Sequence, residues 1–288
     1  SIYAATVIPY HGAWLEYETD ANNTFYVRID KNRKLPITWF LKAMGKYDET
    51  KPETWLSCTP DPIVGATTNE RLKEIFGDDE RIAVTIDKDT TTSRDECLME
   101  IYRKLRPGDP PTVESAESLL DGLFFDRRYD ISNVGRYKFN KKLALRGRIN
   151  GFTLAMPVAD PSTGEIIADA GEVISRDMAE KIDAAGVVEV WLDVDGKTVK
   201  VFSNGMVPLQ SMVDIDPEEL GIKEKVRGIV LKSLMEQYSG DALKEAILEN
   251  IDVLIPKHIV VDDMFASVNY LNCLAYGIGE KDDIDHLG

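Results

Sequence analysis

The sequence is poor in cysteine and histidine, and this scarcity excludes several kinds of site. Its 288 residues include only three cysteines, Cys58, Cys97 and Cys273, and three histidines, and no two cysteines form a CxxC pair. Disulfide frameworks and structural zinc sites need more of these residues at shorter spacings, so neither is expected. Three free thiols fit a reducing cytoplasm.

Long apolar runs and familiar catalytic motifs are also missing. No run of about 18 apolar residues occurs, so no membrane-spanning helix is expected. The first residues, SIYAATVIPY, lack the charged and then apolar order of a secretory signal. There is no G-x-S-x-G, no G-x-x-x-x-G-K-[ST] and no G-x-G-x-x-G, which excludes the nucleophile and phosphate loops that these motifs form. The chain does not begin with methionine and stops after DDIDHLG, so it is expected to be a segment of a longer protein.

Acidic residues are in excess, but they are unevenly distributed. The formal net charge is −16, and residues 157–195 contain ten acids and two bases. By contrast, residues 28–34 contain four cations and one acid, and residues 126–143 contain six cations and two acids. Because fields are screened over about 10 Å, these two basic stretches can attract polyanions locally on an acidic chain.

The residue patterns predict an α+β fold. Two alternating stretches, TVIPYHGAWLEYE and TFYVRID, predict strands joined by a turn, and a helix is predicted to follow Pro36. Three further helices are predicted for NERLKEIF, for RDECLMEIYRKL and for VESAESLLDGLFF, with Gly77 ending the first and Ser93 and Thr112 capping the others.

The pattern changes near residue 145. Short β segments separated by proline and glycine turns predict a compact β-rich unit over 146–210, with a helix between Ser175 and Gly186 and a hairpin at Asp195-Gly196. Two or three acidic amphipathic helices are predicted over 213–253, and a last helix is predicted for DDMFASVNYLNCLAYG.

Three candidate sites have simpler structural explanations. The triplet Gly77-Asp78-Asp79 is typical of a two-metal turn in some polymerases, but its position after a helix favours a helix end and a solvated turn. The acids of DDIDH (282–286) could group around a hard cation, although a charged loop is the simpler account. The hairpins of 152–175 are similar to those of a biotinyl carrier, but this stretch has no lysine to modify.

The basic stretch 126–143 leaves two interpretations open. Its lysines and arginines could neutralise phosphates while Tyr129, Tyr137 and Phe139 stack on unpaired bases. Alternatively, the aromatic rings fill a core and the cations are simply solvated. Residues 28–34, near Trp14, pose the same choice, and two such stretches together favour nucleic acid.

Several long segments resemble the lobe domain of the bacterial RNA polymerase β subunit. These segments are IPYHGAWLEYE, FYVRIDKNRKLP, IYRKLRPGDPPT, AESLLDGLFFDRRYDISNVGRYKFN and YGIGEKDDIDHLG, and they occur in the order of that family. The resemblance divides the chain into a first part of the lobe (1–145), a lineage-specific insertion (146–253) and the closing helix and linker of the lobe (254–288). For the insertion it implies a small sandwich- or barrel-like β module followed by acidic helices.

The resemblance implies a role in transcription without catalysis by this segment. The lobe would form one wall of the DNA cleft of a cytoplasmic, nucleoid-associated nucleotidyltransferase and would guide downstream duplex and the non-template strand. No cofactor is expected in this segment, since another subunit holds the Mg²⁺ of the parent enzyme. The implied partners are promoter and downstream DNA, the β′, α and ω subunits and σ factor, with no membrane.

The resemblance also assigns DNA-facing residues by motif. Trp14, Arg106, Arg128 and Tyr129 match positions beside the non-template strand, and Asp285 matches an acid that accepts hydrogen bonds from a guanine. The other matched cations lie in the basic hairpin and in VGRYKFN, and they are Arg28, Lys31, Arg33, Lys34, Arg136 and Lys138. Asn32 replaces an arginine common in the family, so one phosphate contact is expected to be missing.

The insertion offers an alternative function. Its balance of −8 over 157–195 opposes contact with phosphates. The chain would then be a protein-docking module whose acidic insertion binds a transcription factor, σ or another regulator, and its DNA contacts would be incidental.

Overall fold

A computed structural model of the chain describes residues 2–45, 66–125 and 128–279, and it combines helices with small antiparallel sheets. This mixture confirms the predicted α+β class. Elements are numbered below in chain order within the described residues.

A four-stranded antiparallel sheet forms the N-terminal part of the fold. Its strands, in the order in which they pair, are β1 (Ala4–Val7), β2 (Leu15–Thr19), β3 (Phe25–Ile29) and β4 (Leu35–Pro36). Along β2 and β3 the side chains alternate between buried and half-buried, and Leu15 pairs with Ile29. One face therefore enters the core while the other carries Glu16, Glu18 and Arg28, as the alternating pattern predicted.

Helices cover the buried face of this sheet. They are α1 (Ile37–Met44), α2 (Asn69–Phe76), α3 (Glu80–Lys88), α4 (Arg94–Leu105), α5 (Val113–Phe124) and α6 (Ser132–Leu143), and the chain returns to them with α12 (Val261–Leu274). The predicted caps are confirmed, because the hydroxyl of Ser93 accepts from Glu96 N and that of Thr112 from Ser115 N.

The Gly77-Asp78-Asp79 triplet is only partly a solvated turn. Gly77 ends α2 with a φ of 70°, but the Asp79 carboxylate is buried and accepts from the backbone N–H groups of Arg81 and Ile82. Asp79 is therefore the N-cap of α3, a helix that the sequence pattern did not predict. Burial raises the pKa of this carboxyl above its ordinary value.

The predicted β-rich unit contains two small antiparallel sheets, two short helices and one strand, β10, that pairs with a strand after residue 210. Its elements are α7 (Arg146–Ile149), β5 (Thr153–Leu154), β6 (Val158–Ala159), β7 (Ile166–Ala168), α8 (Arg176–Ala184), β8 (Glu189–Val194), β9 (Lys197–Phe202) and β10 (Met206–Val207). Asp195 and Gly196 have φ values of 52° and 85°, which confirms the predicted hairpin turn. None of the sheets formed by the described residues closes into a barrel.

The acidic helical segment begins later than predicted. Its elements are β11 (Val226–Arg227), α9 (Gly228–Gln237), α10 (Gly240–Glu249) and α11 (Ile251–Leu254). Before them, residues 209–225 form two 3₁₀ turns instead of a helix, and Gly221 adopts a left-handed φ of 69°. Pro217 and Gly221 lie four residues apart and prevent a longer helix there.

Three hydrophobic clusters form the core, and two of them combine residues from different predicted parts. One contains the sheet and the helices of the lobe, together with Phe202 of β9. A second contains residues 145–201 together with Cys273 and Ile278 from the end of the chain. A third lies wholly within 209–254. The β-rich unit is therefore packed onto the closing helix α12 instead of being attached by a linker.

Candidate nucleic-acid interface

The basic hairpin owes its shape to a tight turn between β3 and β4. Asp30 and Lys31 both have left-handed φ values, 52° and 65°, and Asn32 N donates to Ile29 O at 3.1 Å. Two such residues in succession define a type I′ turn, which keeps the twist of the flanking strands. The turn projects Lys31, Asn32 and Arg33 into solvent.

Trp14 lies against this turn. Its carbonyl oxygen accepts from Asp30 N at 2.8 Å, and the ammonium of Lys31 lies 4.6 Å from the centre of its ring. A second lysine, Lys34, lies 5.4 Å from the ring centre of Tyr26. Each contact is worth about 0.5–1 kcal/mol at an exposed site, so the rings hold the cations at the surface without neutralising them.

Acids on the outer face of the sheet compensate part of this charge. Glu18 Oε1 lies 3.3 Å from Arg28 Nε and 3.1 Å from Lys34 Nζ. Arg33 is exposed, and among the described residues no carboxylate pairs with it or with Lys31. Lys31 and Arg33 are thus the hairpin cations best placed for a phosphate.

The loop that carries Arg128 is joined to the strand before Trp14. His11 and Asp130 exchange two backbone hydrogen bonds of 3.0 and 2.7 Å, and Arg128 is exposed beside them. The structure therefore brings Arg128 to the same end of the sheet as Trp14. The exposed ring of Tyr10 packs edge-on against His11, 4.5 Å away, and adds an aromatic surface that sequence reasoning missed. The sequence alone does not show that His11 and Asp130, about 120 residues apart, are paired in the fold.

Tyr129 does not face DNA, and its assignment as a contact is corrected. Its side chain is 3% exposed, its ring lies 6.1 Å from that of Phe124, and it fills the space above Gly12. Burial, and then the charge of Asp263, raise the pKa of its hydroxyl. A ring packed in this way has no face on which a base could stack.

Arg136 is also a structural residue. It is 1% exposed, and both guanidinium NH groups donate to the Asp263 carboxylate at 2.9 Å. It further donates to the carbonyl oxygens of Pro256 and His258, and Asn204 of the β-rich unit donates to the same Asp263 at 2.9 Å. The predicted DNA contact is therefore wrong for Arg136, because its guanidinium N–H groups donate to the Asp263 carboxylate and to two backbone carbonyls inside the protein.

Helix α6 sorts the remaining residues of the basic stretch by its 3.6-residue period. Tyr137 is 57% exposed and Lys141 is exposed, whereas Phe139 is buried and Lys138 is half-buried. The core interpretation thus holds for the buried face of the helix, while contact of the exposed face with nucleic acid stays a prediction. Of the three aromatic residues, only Tyr137 is accessible to a base.

Two predicted residues remain, Arg106 and Asp285. Arg106 is exposed just after α4, before the start of α5, while Arg128 follows the other end of α5. A helix of twelve residues, about 18 Å long, therefore lies between the two arginines along the chain. Asp285 and the rest of DDIDH lie outside the described residues. Within the described ranges, no group of three or more His, Cys, Asp or Glu side chains is arranged to hold a metal ion.

Comparisons of the sequence with known proteins give matches to RNA polymerase subunits. The family described as RNA polymerase Rpb2, domain 2, matches residues 1–51 and 78–154. A DNA-directed RNA polymerase subunit beta from Acetivibrio thermocellus is 51% identical over 291 residues, which cover 100% of this chain and 22% of that protein. The same subunit of Clostridium botulinum strains Okra and Alaska E43 is 49% and 51% identical over 289 residues, with the same coverage.

The extent of the matches is informative. The chain spans 22% of the length of these curated relatives, so it corresponds to one segment of them. The relatives match through residues 155–253 as well, where the family match has ended. The described helices are all too short or too polar to cross a bilayer.

Proposed function

This chain belongs to the bacterial RNA polymerase β-subunit family, as the segment that contains Rpb2 domain 2, and from that premise we propose that it forms a non-catalytic wall of the DNA cleft. In this role it guides downstream duplex and the non-template strand past its basic hairpin. Bond formation belongs to the assembled DNA-directed RNA polymerase, with Mg²⁺ held by another subunit. Its partners are then the β′, α and ω subunits, σ factor and promoter DNA, in the cytoplasm.

One observation carries the proposal. Trp14, Lys31, Arg33 and the loop of Arg128 lie at one end of the N-terminal sheet, joined by the His11–Asp130 bridge. Exposed cations beside aromatic rings are the combination that binds single-stranded nucleic acid, because the cations neutralise phosphates and the rings stack on bases.

The interface is small, and its affinity should be correspondingly modest. Arg28 and Lys34 share Glu18, and the exposed side chains of Lys31, Arg33 and Arg128 are the proposed principal contacts at this end of the sheet. Each phosphate contact lowers the slope of log affinity against log salt by about 0.7 for a single strand. The segment therefore guides a strand that the rest of the enzyme binds.

The test is the lifetime of the open promoter complex in the assembled enzyme. Arg128→Ala and the pair Lys31→Ala/Arg33→Ala should each shorten the lifetime, by roughly 5- to 150-fold for losses of about 1–3 kcal/mol. Lys223→Ala, which removes an exposed lysine from the acidic helical segment, is the matched control and should leave it unchanged. Unchanged lifetimes in both hairpin and loop variants would reject the role.

The acidic insertion supports a second candidate function, a docking platform for a protein regulator. Asn204 and Phe202 tie it to the lobe through the Arg136–Asp263 pair and the lobe core, so it is held in a fixed orientation. Deleting the insertion would expose the Arg136–Asp263 pair and the lobe core to solvent. Charge reversals on exposed acids of the insertion are therefore the better test. If Asp169→Lys/Glu172→Lys changes σ or regulator binding while open-complex lifetime is preserved, docking is the primary role.

A further inference from the structure

A concave groove of about 420 Å³ lies where the three parts of the chain meet. The lobe contributes Ile75 and Phe265, the β-rich unit contributes Val188 and Phe202, and the helical segment contributes the face of α9. The groove is therefore formed only when the insertion is packed on the lobe, and none of residues 28–34 lines it.

The floor of the groove is apolar. Ile75, Phe202 and Phe265 are all buried, and they belong to the lobe core. Met212 and Met235 line the walls and remain partly exposed. Methionine side chains are flexible and polarisable, so walls of this kind adapt to the shape of an apolar guest.

The charged residues at the rim are paired, with one exception. Glu189 lies 3.4 Å from Lys200, and Arg227 lies 3.1 Å from Asp262. Lys232 also lines the groove and is exposed, but no carboxylate among the described residues pairs with it. The rim therefore carries one uncompensated positive charge on a chain of net charge −16.

The position of this charge is set by helix α9. Ile229, Lys232 and Met235 recur at intervals of three residues and so share one face of the helix. All three residues line the groove, so Lys232 lies between two apolar residues on this side of the helix. A ligand that enters the groove must bury an apolar body and can present one anionic group to Lys232.

We propose that this groove binds a small amphipathic anion, with an apolar body on the floor and a single carboxylate or equivalent group on Lys232. Its volume lies in the range of about 300–1,000 Å³ that is usual for small-molecule pockets. A stable protein interface buries more than about 1,000 Å² over a broad surface, so a groove of this size fits a small molecule better than a protein partner. Charge complementarity favours an anion over a neutral or cationic guest.

The test uses the assembled polymerase with its full-length β subunit and two probes of equal chain length, octanoate and 1-octanol. Saturation-transfer NMR on the ligand measures both affinities. Octanoate should bind saturably and more tightly than octanol. Lys232→Met, which keeps the apolar stem and removes the charge, should weaken octanoate at least fivefold and leave octanol within twofold.

Two further variants keep the test decisive. Lys223→Met removes an exposed lysine outside the groove and should change neither affinity, while Ile229→Trp and, separately, Met235→Trp should fill the groove and weaken both ligands. Promoter-dependent transcription confirms that each variant enzyme is assembled. The proposal is overturned if octanoate shows no saturable binding, if Lys232→Met leaves its affinity unchanged, or if neither groove-filling variant weakens it.

Discussion

The hairpin of residues 28–34 and helix α6 of residues 132–143 both combine cations with aromatic rings, but they place these residues differently. At the hairpin Lys31, Arg33 and Lys34 are all exposed. In α6, Arg136 and Phe139 are buried while Tyr137 and Lys141 face solvent. A tight turn exposes consecutive side chains, whereas a helix packed against a core must bury one side of its circumference.

The buried side of α6 connects different parts of the fold, and the composition of the segment does not reveal this. Arg136 joins α6, the entry to α12 and Asn204 of the β-rich unit through one carboxylate, that of Asp263. The hairpin cations have no comparable set of partners, since Glu18 is the only carboxylate shown to pair with them among the described residues. A high density of cations in a sequence therefore does not show whether they form an exposed binding surface or buried ion pairs.

The largest expected effect on stability comes from removing the Arg136–Asp263 ion pair. Arg136→Ala should lower the free energy of unfolding of the chain by about 3–5 kcal/mol, because it leaves the Asp263 carboxylate buried and unpaired. Arg33→Ala in the hairpin is the matched control and should change it by less than about 0.5 kcal/mol. Urea unfolding followed by circular dichroism measures both. Equal effects of the two substitutions would contradict the contrast drawn between hairpin and helix.

A smaller effect should follow from disturbing the packing of Tyr129. A Cβ atom added at Gly12 would lie 2.3 Å from Tyr129 Cδ2, and Gly12 has a φ of 132°. Gly12→Ala should therefore cost about 1–3 kcal/mol of stability. Gly108→Ala separates the two causes, because Gly108 has a φ of 93° but no atom within 4 Å of the added Cβ. If both substitutions cost the same, backbone strain alone accounts for the loss and the clash is unimportant.

The smallest effect concerns the buried acid at the start of α3. Asp79→Ala should cost about 1 kcal/mol, because it removes the cap that accepts from Arg81 N and Ile82 N. Asp79→Asn keeps a capping oxygen and removes the buried charge, so it should be more stable than the native chain at pH 7.

The pH dependence of this difference tests its cause. Burial raises the pKa of Asp79 in the folded chain above its unfolded value of about 4, so its contribution to stability is present at low pH and is lost as the pH rises through the folded pKa. The advantage of Asp79→Asn should accordingly vanish towards pH 4. An advantage that stays constant from pH 4 to 7 would show that the charge is not responsible.

Local patterns were sufficient for much of the fold. The alternation along β2 and β3, the caps at Ser93, Thr112 and Ser175 and the Asp195-Gly196 turn depend on neighbouring residues, and each was predicted. Helix α3 was missed because its N-cap, Asp79, was interpreted as a solvated turn. The late start of α9 was missed because the acidic composition of 213–225 was given more weight than Pro217 and Gly221.

The residues of the candidate site also differ in how far the sequence predicts their positions. The hairpin surface was predictable, since its cations are adjacent in the chain and the turn exposes them together. Tyr129 and Arg136 were not, because their neighbours Gly12 and Asp263 lie more than a hundred residues away in the sequence. Tyr10 was missed for the same reason, as only the His11–Asp130 bridge brings it beside Arg128.

The sequence by itself determined the α+β class and the basic hairpin, because periodicity, capping and turn residues are properties of short stretches. Only the tertiary structure decided which cations bind inward and which remain at the surface, and only it formed the groove at Lys232. The first depends on partners that lie far apart in the sequence, such as Arg136 and Asp263, because burial of a charge is stable only where such a partner is supplied. The second depends on the packing of the β-rich unit and α9 against Ile75 and Phe265.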